Sequence, residues 1–282
     1  MSANTGDDFP MISGDALNAG KLKARLRSGD ATCGAFLQLS SHLSAEILSR
    51  AGFDWLIVDM EHAPIDLDSL LRQLQAIGYS SKCTPFVRAP WNDAVSIKRI
   101  LDAGAQGIVI PYVNTAEEAR NAVAACKYPP EGIRGAALSP RAAGFGQSDC
   151  SFFERSNAEI IVIVSIETVE AVQNLDAILQ IGNLDGIFIG PMDLAVSMGH
   201  AGDSECDEVQ QVIAEIESKV LASDKFLGTV ATNWEKADRC ISRGYQWLIL
   251  MQDSLTLASR AAHTVQKFRN QVLDQSQSDP MR

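Results

Sequence analysis

The chain has 282 residues, of which 46% are hydrophobic and 21% charged, a composition typical of a globular protein with a large apolar core. The net charge of −11, without any cluster of Lys and Arg, excludes the basic surface that nucleic-acid binding needs. The six cysteines are widely spaced and form no CxxC pair, so the sequence shows neither a disulfide framework nor a zinc motif.

Short apolar segments alternate with amphipathic segments along the chain. The predicted strands are 34–39, 55–60, 84–89, 107–113, 160–167, 186–191, 226–230 and 247–253. The predicted helices are 44–52, 67–78, 93–104, 115–126, 168–182, 208–223, 234–244 and a last amphipathic helix at 257–273. The polar ends, 1–15 and 274–282, are expected to be disordered, which leaves one folded domain at 16–273.

Eight strands, each followed by a helix, predict a single (β/α)₈ TIM barrel. An open doubly wound sheet is the alternative, but the GxGxxG motif that such nucleotide-binding sheets carry is absent. The longest irregular stretch is 128–159, and loops of this length often cover an active site. We therefore expect it near the site, with Arg134 and Arg141 as weaker candidates for binding an anionic substrate.

Catalytic groups of TIM barrels lie where the strands end, and the strand 55–60 ends in several ionisable residues. A carboxylate that holds one ring nitrogen of a histidine raises the basicity of the other nitrogen. Asp59 and His62 are therefore predicted to form a proton-transfer pair, while Glu61 orders the barrel mouth. The alternative is an ordinary surface histidine, which is the role expected for His200 and His263.

Glu167 and Asp193 follow adjacent strands, so their carboxylates should face one point. Such hard oxygen ligands suit Mg²⁺ or Mn²⁺, with Co²⁺ as a further candidate. The alternative is that each residue only begins the helix that follows it. Arg88 also ends a strand and is predicted to bind a substrate carboxylate or enolate oxygen; its alternative role is a salt bridge that holds loops together.

Several segments, in this order, resemble the HpcH/HpaI family of divalent-metal-dependent class II pyruvate aldolases. The matching segments are GFDWLIVDMEHAP, VRAPWNDAVSIKRILDAGAQGIVIPYV, EEARNAVAACKYPPEGIRG, IETVEAV and GIFIGPMDLAVSMG, and the resemblance covers about 30–265. It implies a (β/α)₈ barrel that cleaves a 4-hydroxy-2-oxo acid into pyruvate and an aldehyde.

The resemblance also implies roles for individual residues. Glu167 and Asp193 would bind the metal, Arg88 would bind pyruvate and stabilise its enolate, and His62 would transfer a proton while Asp59 orients it. The chain departs from the family at Ser165, where Gln is common, and at Met192, where a small residue is common. We expect both residues to line the substrate site and to affect which aldehyde is preferred.

Two other functions remain open at this point. An oxaloacetate decarboxylase or a macrophomate-synthase-like lyase would use the same enolate chemistry, and a non-catalytic barrel could bind a small oxo acid. The expected partners are a 2-oxo acid and an aldehyde. The resemblance further implies a homo-oligomer, a trimer or a hexamer, in which C-terminal helices are exchanged. Without a secretory signal or an apolar run of about 18 residues, we expect a cytoplasmic protein with no membrane partner.

Overall fold

The computed structural model of the protein describes residues 18–78, 82–149 and 151–278. In this part of the chain, eight parallel strands form a closed barrel in which each strand pairs with the next and the last pairs with the first. The strands are β1 Thr32–Leu37, β2 Trp55–Asp59, β3 Thr84–Arg88, β4 Gly107–Ile110, β5 Ile161–Ile166, β6 Gly186–Ile189, β7 Phe226–Val230 and β8 Trp247–Gln252. The predicted TIM barrel is confirmed.

Helices connect successive strands and surround the barrel. They are α1 Asn18–Arg27, α2 His42–Ser49, α3 Leu67–Gly78, α4 Ala94–Asp102, α5 Ala116–Cys126, α6 Phe152–Glu159, α7 Val169–Gln173, α8 Leu175–Leu179, α9 Pro191–Ser197, α10 Asp207–Leu221, α11 Trp234–Ser242 and α12 Asp253–Ser278. The predicted disordered segment 1–15 lies outside the described residues. α12 continues past the predicted domain end at 273, and 279–282 again lie outside the described residues.

Two predicted elements differ from the structure for local reasons, and helices α1, α6 and α9 lie where no helix was predicted. The single helix expected at 168–182 is divided into α7 and α8 at Asn174, whose φ of −97° and ψ of 3° interrupt the helix. The fourth strand stops at Ile110 because Pro111 has no N–H for the sheet. The short helix α9 was not predicted, although Pro191 occupies a first-turn position that suits proline.

Aromatic rings fill the barrel interior and lie over glycines of neighbouring strands. Trp55 and Trp247 stack with centroids 3.9 Å apart, and Phe86 packs against both. A Cβ at Gly34 would lie 2.0 Å from the Trp55 ring, so this close approach requires glycine. The same relation recurs for Gly107 with Phe86, Gly186 with Phe226 and Gly228 with Trp247.

Helix α1 closes the amino end of the barrel. Its residues Ala19, Leu22 and Leu26 join the apolar cluster of the barrel interior. Lys23, which is also buried, lies with its Nζ 2.9 Å from Asp185 Oδ1. Because this end is packed shut, the carboxyl end of the strands is the barrel's mouth.

The predicted active-site cover is wrong for this chain. The segment 128–159 follows helix α5, so it belongs to the amino end of the barrel, opposite the mouth. Arg134 donates to Asp102 Oδ1 at 2.7 Å, and Arg141 donates to the carbonyl oxygen of Ala103 at 3.0 Å. Both partners lie at the end of α4, so neither arginine reaches the mouth.

Helix α12 leaves the barrel instead of packing along it. Its described side chains are exposed from Leu255 to Leu273. Ala258, Ala261, Val265, Phe268 and Val272 recur at alternating spacings of three and four residues, which places them on one face. Among the described residues, no helix has both the length and the apolar character needed to cross a bilayer.

Candidate active site at the barrel mouth

The strand registers bring the predicted residues to one end of the barrel. Side chains alternate between the interior and the surrounding helices, and Asp59 follows Ile57 on the interior face of β2. Asp59 pairs in register with Arg88 at the end of β3. The same alternation on β5 leads from Ile163 through Ser165 towards the mouth.

Arg88 and Asp59 form a buried, bidentate ion pair. Arg88 Nε donates to Asp59 Oδ1 at 2.9 Å, and Arg88 Nη2 donates to Asp59 Oδ2 at 2.7 Å. Gln38 Nε2 also donates to Oδ2, at 2.9 Å, and the guanidinium lies 4.4 Å from the ring centroid of Phe36. Although burial alone would raise the pKa of Asp59, its hydrogen bonds to Arg88 and the charge of Arg88 lower that pKa overall.

The predicted contact between Asp59 and the His62 ring is wrong. Asp59 instead binds the backbone N–H of His62. Asp59 Oδ1 accepts the peptide N–H groups of Glu61 and His62 at 3.2 and 3.3 Å, which fixes the path of the chain there. The His62 Nε2 atom instead lies 3.7 Å from Glu61 Oε2. Glu61 Oε2 is in turn 3.1 Å from Arg88 Nη1. The ring therefore faces Glu61, and its side chain is 53% exposed at the mouth.

Glu167 is almost fully buried directly after β5. Its Oε1 accepts the peptide N–H of Tyr112 at 2.7 Å, and Tyr112 orients that N–H with a left-handed backbone, φ 53°. A Cβ on residue 190 would lie 2.6 Å from Glu167 Oε2, so the carboxylate needs Gly190 beside it. Burial, reinforced by the charges of Glu61 and Asp193, raises the pKa of Glu167 to about 7.

The remaining predicted residues occupy different depths. Asp193 lies in the first turn of α9 and is partly buried, and its charge acts on Glu61, Glu167 and Tyr112. Ser165 is fully buried, and its Oγ has no hydrogen-bond partner among the described residues. Met192 is 52% exposed, so its side chain does not point into the core.

This donor set fits a divalent cation. Glu167 and Asp193 offer hard carboxylate oxygens, and Glu61 is a third carboxylate whose charge acts on Glu167. Burial raises the pKa of Glu61, and the charges of Asp59 and Asp193 add to the rise. Because these carboxylates repel one another, a cation between them would lower the energy of the charged forms.

Sequence reasoning missed the parts that Gln38 and the Tyr112 backbone play in the mouth. Gln38 holds Asp59, and its own peptide N–H donates to Asp253 Oδ1 at 2.8 Å, which links the site to the start of α12. Tyr112 acts through its backbone N–H, and its ring stacks on Trp91 with centroids 5.5 Å apart. Of the two, only Gln38 could have been noted from the sequence, as a polar residue near the end of the predicted strand 34–39.

The chain is similar to known proteins over most of its length. A family model described as HpcH/HpaI aldolase/citrate lyase matches residues 32–259. A protein from Escherichia coli named 4-hydroxy-2-oxo-heptane-1,7-dioate aldolase is 42% identical over 244 residues, which are 86% of this chain and 92% of that protein. The solved structure of an HpcH/HpaI aldolase/citrate lyase family protein from Burkholderia cenocepacia J2315 has a TM-score of 0.85 and 34% identity, and the match covers 89% of this chain and 99% of that one. An HpcH/HpaI aldolase from Desulfitobacterium hafniense DCB-2 has a TM-score of 0.82 and 28% identity, with 88% and 96% covered.

Proposed function

The chain belongs to the HpcH/HpaI aldolase/citrate lyase family, and from this premise we propose that it is a metal-dependent aldolase that cleaves a 4-hydroxy-2-oxo acid into pyruvate and an aldehyde. The observation that carries the proposal is the mouth itself. There the charges of the buried Arg88 and of the first-turn Asp193 both act on the buried Glu167. With a cation held by the two carboxylates, the arginine and the cation would stabilise an enolate, which is the intermediate this cleavage requires.

Glu167 and Asp193 would hold the cation, which the donor chemistry suggests is Mg²⁺ or Mn²⁺, with Co²⁺ as a third choice. When bound, the cation would supply Lewis-acid stabilisation of the negative charge that develops as the C3–C4 bond breaks. The hydrogen bond from the Tyr112 N–H fixes Glu167 Oε1, so the carboxylate is held in one orientation before any ligand arrives.

Arg88 would bind the carboxylate of the oxo acid and stabilise the enolate oxygen. Asp59 holds the guanidinium at two of its nitrogens, and Phe36 lies against its plane, so little side-chain entropy remains to be lost on binding. A guanidinium carries more N–H groups than these contacts use. Asp59 therefore acts as a positioning residue for Arg88.

His62 would take the proton of the C4 hydroxyl group. The electron pair of that O–H bond then forms the aldehyde C=O, the C3–C4 bond breaks, and protonation of the enolate at C3 gives pyruvate. Glu61 is the carboxylate that lies beside the ring, at 3.7 Å, so we assign the orienting role to Glu61 and not to Asp59. Ser165 and Met192 would face the substrate at two depths, as a buried hydroxyl and an exposed apolar side chain.

The test is a paired assay of the purified protein with Mg²⁺ or Mn²⁺. A 4-hydroxy-2-oxo acid should yield pyruvate and aldehyde in equal amounts, and Glu167→Ala should abolish that yield. Asp68→Ala, which changes an exposed carboxylate on α3, is the matched control and should leave turnover intact. Pyruvate formed from oxaloacetate, with none from the hydroxy-oxo acid, would assign a decarboxylase instead.

We also propose that the protein is a homo-oligomer, a trimer or hexamer, whose subunits contact one another through α12. Among the described residues the side chains of that apolar face are exposed, and a second copy is the partner that the family resemblance implies. A cleft of about 580 Å³, lined by Thr232, Gln252 and His263 among others, lies between α12 and the ends of β7 and β8. It offers space for a segment of the neighbouring copy.

A cytoplasmic location is the remaining proposal. The five described cysteines, Cys33, Cys83, Cys126, Cys206 and Cys240, are all free thiols. Burial raises the pKa of Cys83 and of Cys126 to about 12 in each case, which keeps these thiols protonated and unreactive. Free thiols of this kind are typical of a reducing compartment.

A further inference from the structure

Three residues with metal-binding side chains converge outside the mouth, where α9 connects to α10. They are His200, Cys206 and Glu208, and their ligand atoms all lie within 4.8 Å of one another. His200 follows the end of α9, Cys206 is the N-cap of α10, and Glu208 lies in the first turn of α10. The cluster was not predicted from the sequence, because the spacing of its three residues matches none of the usual zinc motifs.

The path of the loop brings His200 back towards the helix start. Gly199 and Gly202 both have φ of +86°, a left-handed conformation that glycine adopts without strain. The Asp203 N–H donates to the His200 carbonyl oxygen at 3.0 Å, which closes a tight turn. Gln210 Nε2 donates to the Ser204 carbonyl oxygen at 2.8 Å and holds the loop against α10. The convergence therefore follows from the backbone and not from a contact between the three side chains.

The ligand atoms of the cluster are free of polar contacts among the described residues, although the Cys206 side chain also packs against the apolar core. Neither the His200 ring, the Cys206 thiol nor the Glu208 carboxylate takes part in a hydrogen bond or an ion pair there. Cys206 occupies an N-cap position, yet its side chain makes no capping hydrogen bond. The adjacent Glu205, by contrast, is paired with Lys236 at 3.1 Å.

We propose that His200, Cys206 and Glu208 form a transition-metal site that binds Zn²⁺ and ties the end of α9 to the start of α10. One imidazole nitrogen, one thiolate and one carboxylate are a ligand set typical of Zn²⁺, with a fourth position for water. Mg²⁺ and Mn²⁺ prefer oxygen ligands only, so the ligand chemistry separates this site from Glu167 and Asp193. Binding would release the thiol proton of Cys206 to solvent as the Zn–S bond forms.

The spacing of the ligand atoms is compatible with zinc after a small movement. Ligand atoms on a tetrahedral Zn²⁺ lie roughly 3.3–3.7 Å apart, as follows from Zn–S and Zn–N bonds of about 2.3 and 2.0 Å. The ligand atoms now lie within 4.8 Å of one another. Side-chain rotations that move these atoms by about an ångström would bring them to the zinc spacing. The half-exposed surface position of the cluster leaves room for such rotations.

The site would stiffen the segment that carries Asp193. α9 holds Asp193 in its first turn and ends shortly before His200, so a metal would fix the far end of this short helix. Because the ion would bind the folded protein and not the unfolded chain, it should raise the melting temperature. The role is a positioning one, and it differs from the chemistry of the mouth.

The test measures zinc binding in a protein whose mouth cannot bind a metal. The Glu167→Ala/Asp193→Ala double variant is dialysed against Zn²⁺ in the presence of excess Mg²⁺, and bound zinc is counted by elemental mass spectrometry. We expect one tightly bound zinc per chain and a higher melting temperature with zinc. Replacing Zn²⁺ with Co²⁺ should give the near-ultraviolet charge-transfer band of a Co²⁺–thiolate bond.

Substitutions within the cluster complete the test. Adding His200→Ala or Cys206→Ser should weaken zinc binding by at least about 10-fold, the loss that follows even from removing an indirect contact to a metal. The Cys206→Ser variant should also lose the charge-transfer band. His42→Ala, which changes an exposed histidine at the start of α2, is the matched control and should bind zinc normally. Unchanged zinc binding in His200→Ala and Cys206→Ser, or no bound zinc in the double variant, would overturn the proposal.

Discussion

Arg88 and Asp59 illustrate how a single pair can serve both folding and chemistry. Each partner is buried, and removing one would leave an uncompensated charge in the barrel. The same pairing holds the guanidinium 4.4 Å from the ring centroid of Phe36, in the position proposed above for binding the substrate carboxylate. The alternative interpretation from the sequence, a salt bridge that holds loops together, is also present in the pair with Glu61 at 3.1 Å, and it is compatible with the proposed role.

Arg88→Lys tests the geometry of this cation separately from its charge. A lysine ammonium keeps the charge but cannot make the two parallel hydrogen bonds to Asp59. We expect kcat for cleavage to fall by about 100-fold, as for the loss of one donor to a developing oxyanion. Arg72→Lys, in an exposed pair with Asp68, should retain the original rate. Full activity in Arg88→Lys would show that charge alone is sufficient.

Glu167→Gln tests how much the buried, charged carboxylate lowers the free energy of unfolding of the metal-free protein. Burial first, and then the neighbouring charges, raise the pKa of Glu167 from 4.5 to about 7. A folded pKa above the unfolded one favours folding in the protonated form, so this contribution is complete below about pH 4.5 and is lost as the pH rises through about 7. In EDTA at about pH 8, Glu167→Gln should therefore be more stable than wild type by about 3 kcal/mol, because one pKa unit corresponds to about 1.4 kcal/mol.

Urea denaturation at several pH values measures this difference. The greater stability of Glu167→Gln should disappear as the pH is lowered towards 4.5, the unperturbed pKa of a glutamate side chain. The exposed Glu117→Gln serves as the control and should show little difference at any pH. A stability gain that is equally large in acid would mean that the charge of Glu167 is not its cause.

At the scale of single elements, the barrel interior depends on glycines that make room for aromatic rings. Gly34→Ala would place a Cβ 2.0 Å from the Trp55 ring, and neither stacked indole can move without displacing the other. We expect a loss of about 1–3 kcal/mol in the free energy of unfolding, as for other overpacked cores. Gly182→Ala is the control, because nothing lies within 4 Å of the Cβ it would add. Equal stability of the two variants would contradict this view of the core.

The features of helices and strands that could be predicted from the sequence are those that depend on residues close together in the chain. The capping box of α5, in which the Thr115 and Glu118 side chains each bind the other's backbone, depends on residues only three apart, so the local sequence is sufficient to predict it. The location of the segment 128–159 was misjudged, because loop length says nothing about which end of a barrel a loop occupies. That end follows from the order of elements, since the segment comes after a helix.

The candidate site shows the same division between local and long-range information. The rule that ionisable residues at strand ends share the barrel mouth correctly predicted that Asp59, Arg88 and Glu167 are neighbours. Their hydrogen bonds could not be predicted, because the contact of Asp59 with Arg88 depends on the register between two strands. The His200 cluster was missed for a similar reason, since two left-handed glycines determine that loop's path.

At the scale of the whole molecule, α12 connects the active site to the surface proposed for assembly. Asp253 begins the helix and accepts both the Gln38 N–H and the Ser44 hydroxyl, at 2.8 and 2.7 Å. Gln38 also contacts Asp59. The direction of α12 is thus fixed by residues that adjoin the mouth, so the proposed assembly surface and the candidate active site share hydrogen-bonded residues.

Val265→Asp combined with Phe268→Asp tests the proposed oligomer. Two charges on the apolar face of α12 would be buried without partners in an interface, so we expect a shift to monomer by light scattering after size-exclusion chromatography. Asn270→Asp adds a charge to the opposite face and should leave the assembly unchanged. A wild-type protein that is already monomeric would refute the proposal directly.

The central claim is that the mouth forms a pyruvate enolate, and proton exchange measures this without any aldehyde. In deuterium oxide with Mg²⁺ or Mn²⁺, the protein should replace the methyl protons of pyruvate with deuterium, followed by nuclear magnetic resonance. EDTA or Asp193→Ala should stop the exchange, whereas the exposed Asp68→Ala should not. Exchange that continues undiminished in EDTA, or no exchange by the metal-loaded protein, would contradict the account.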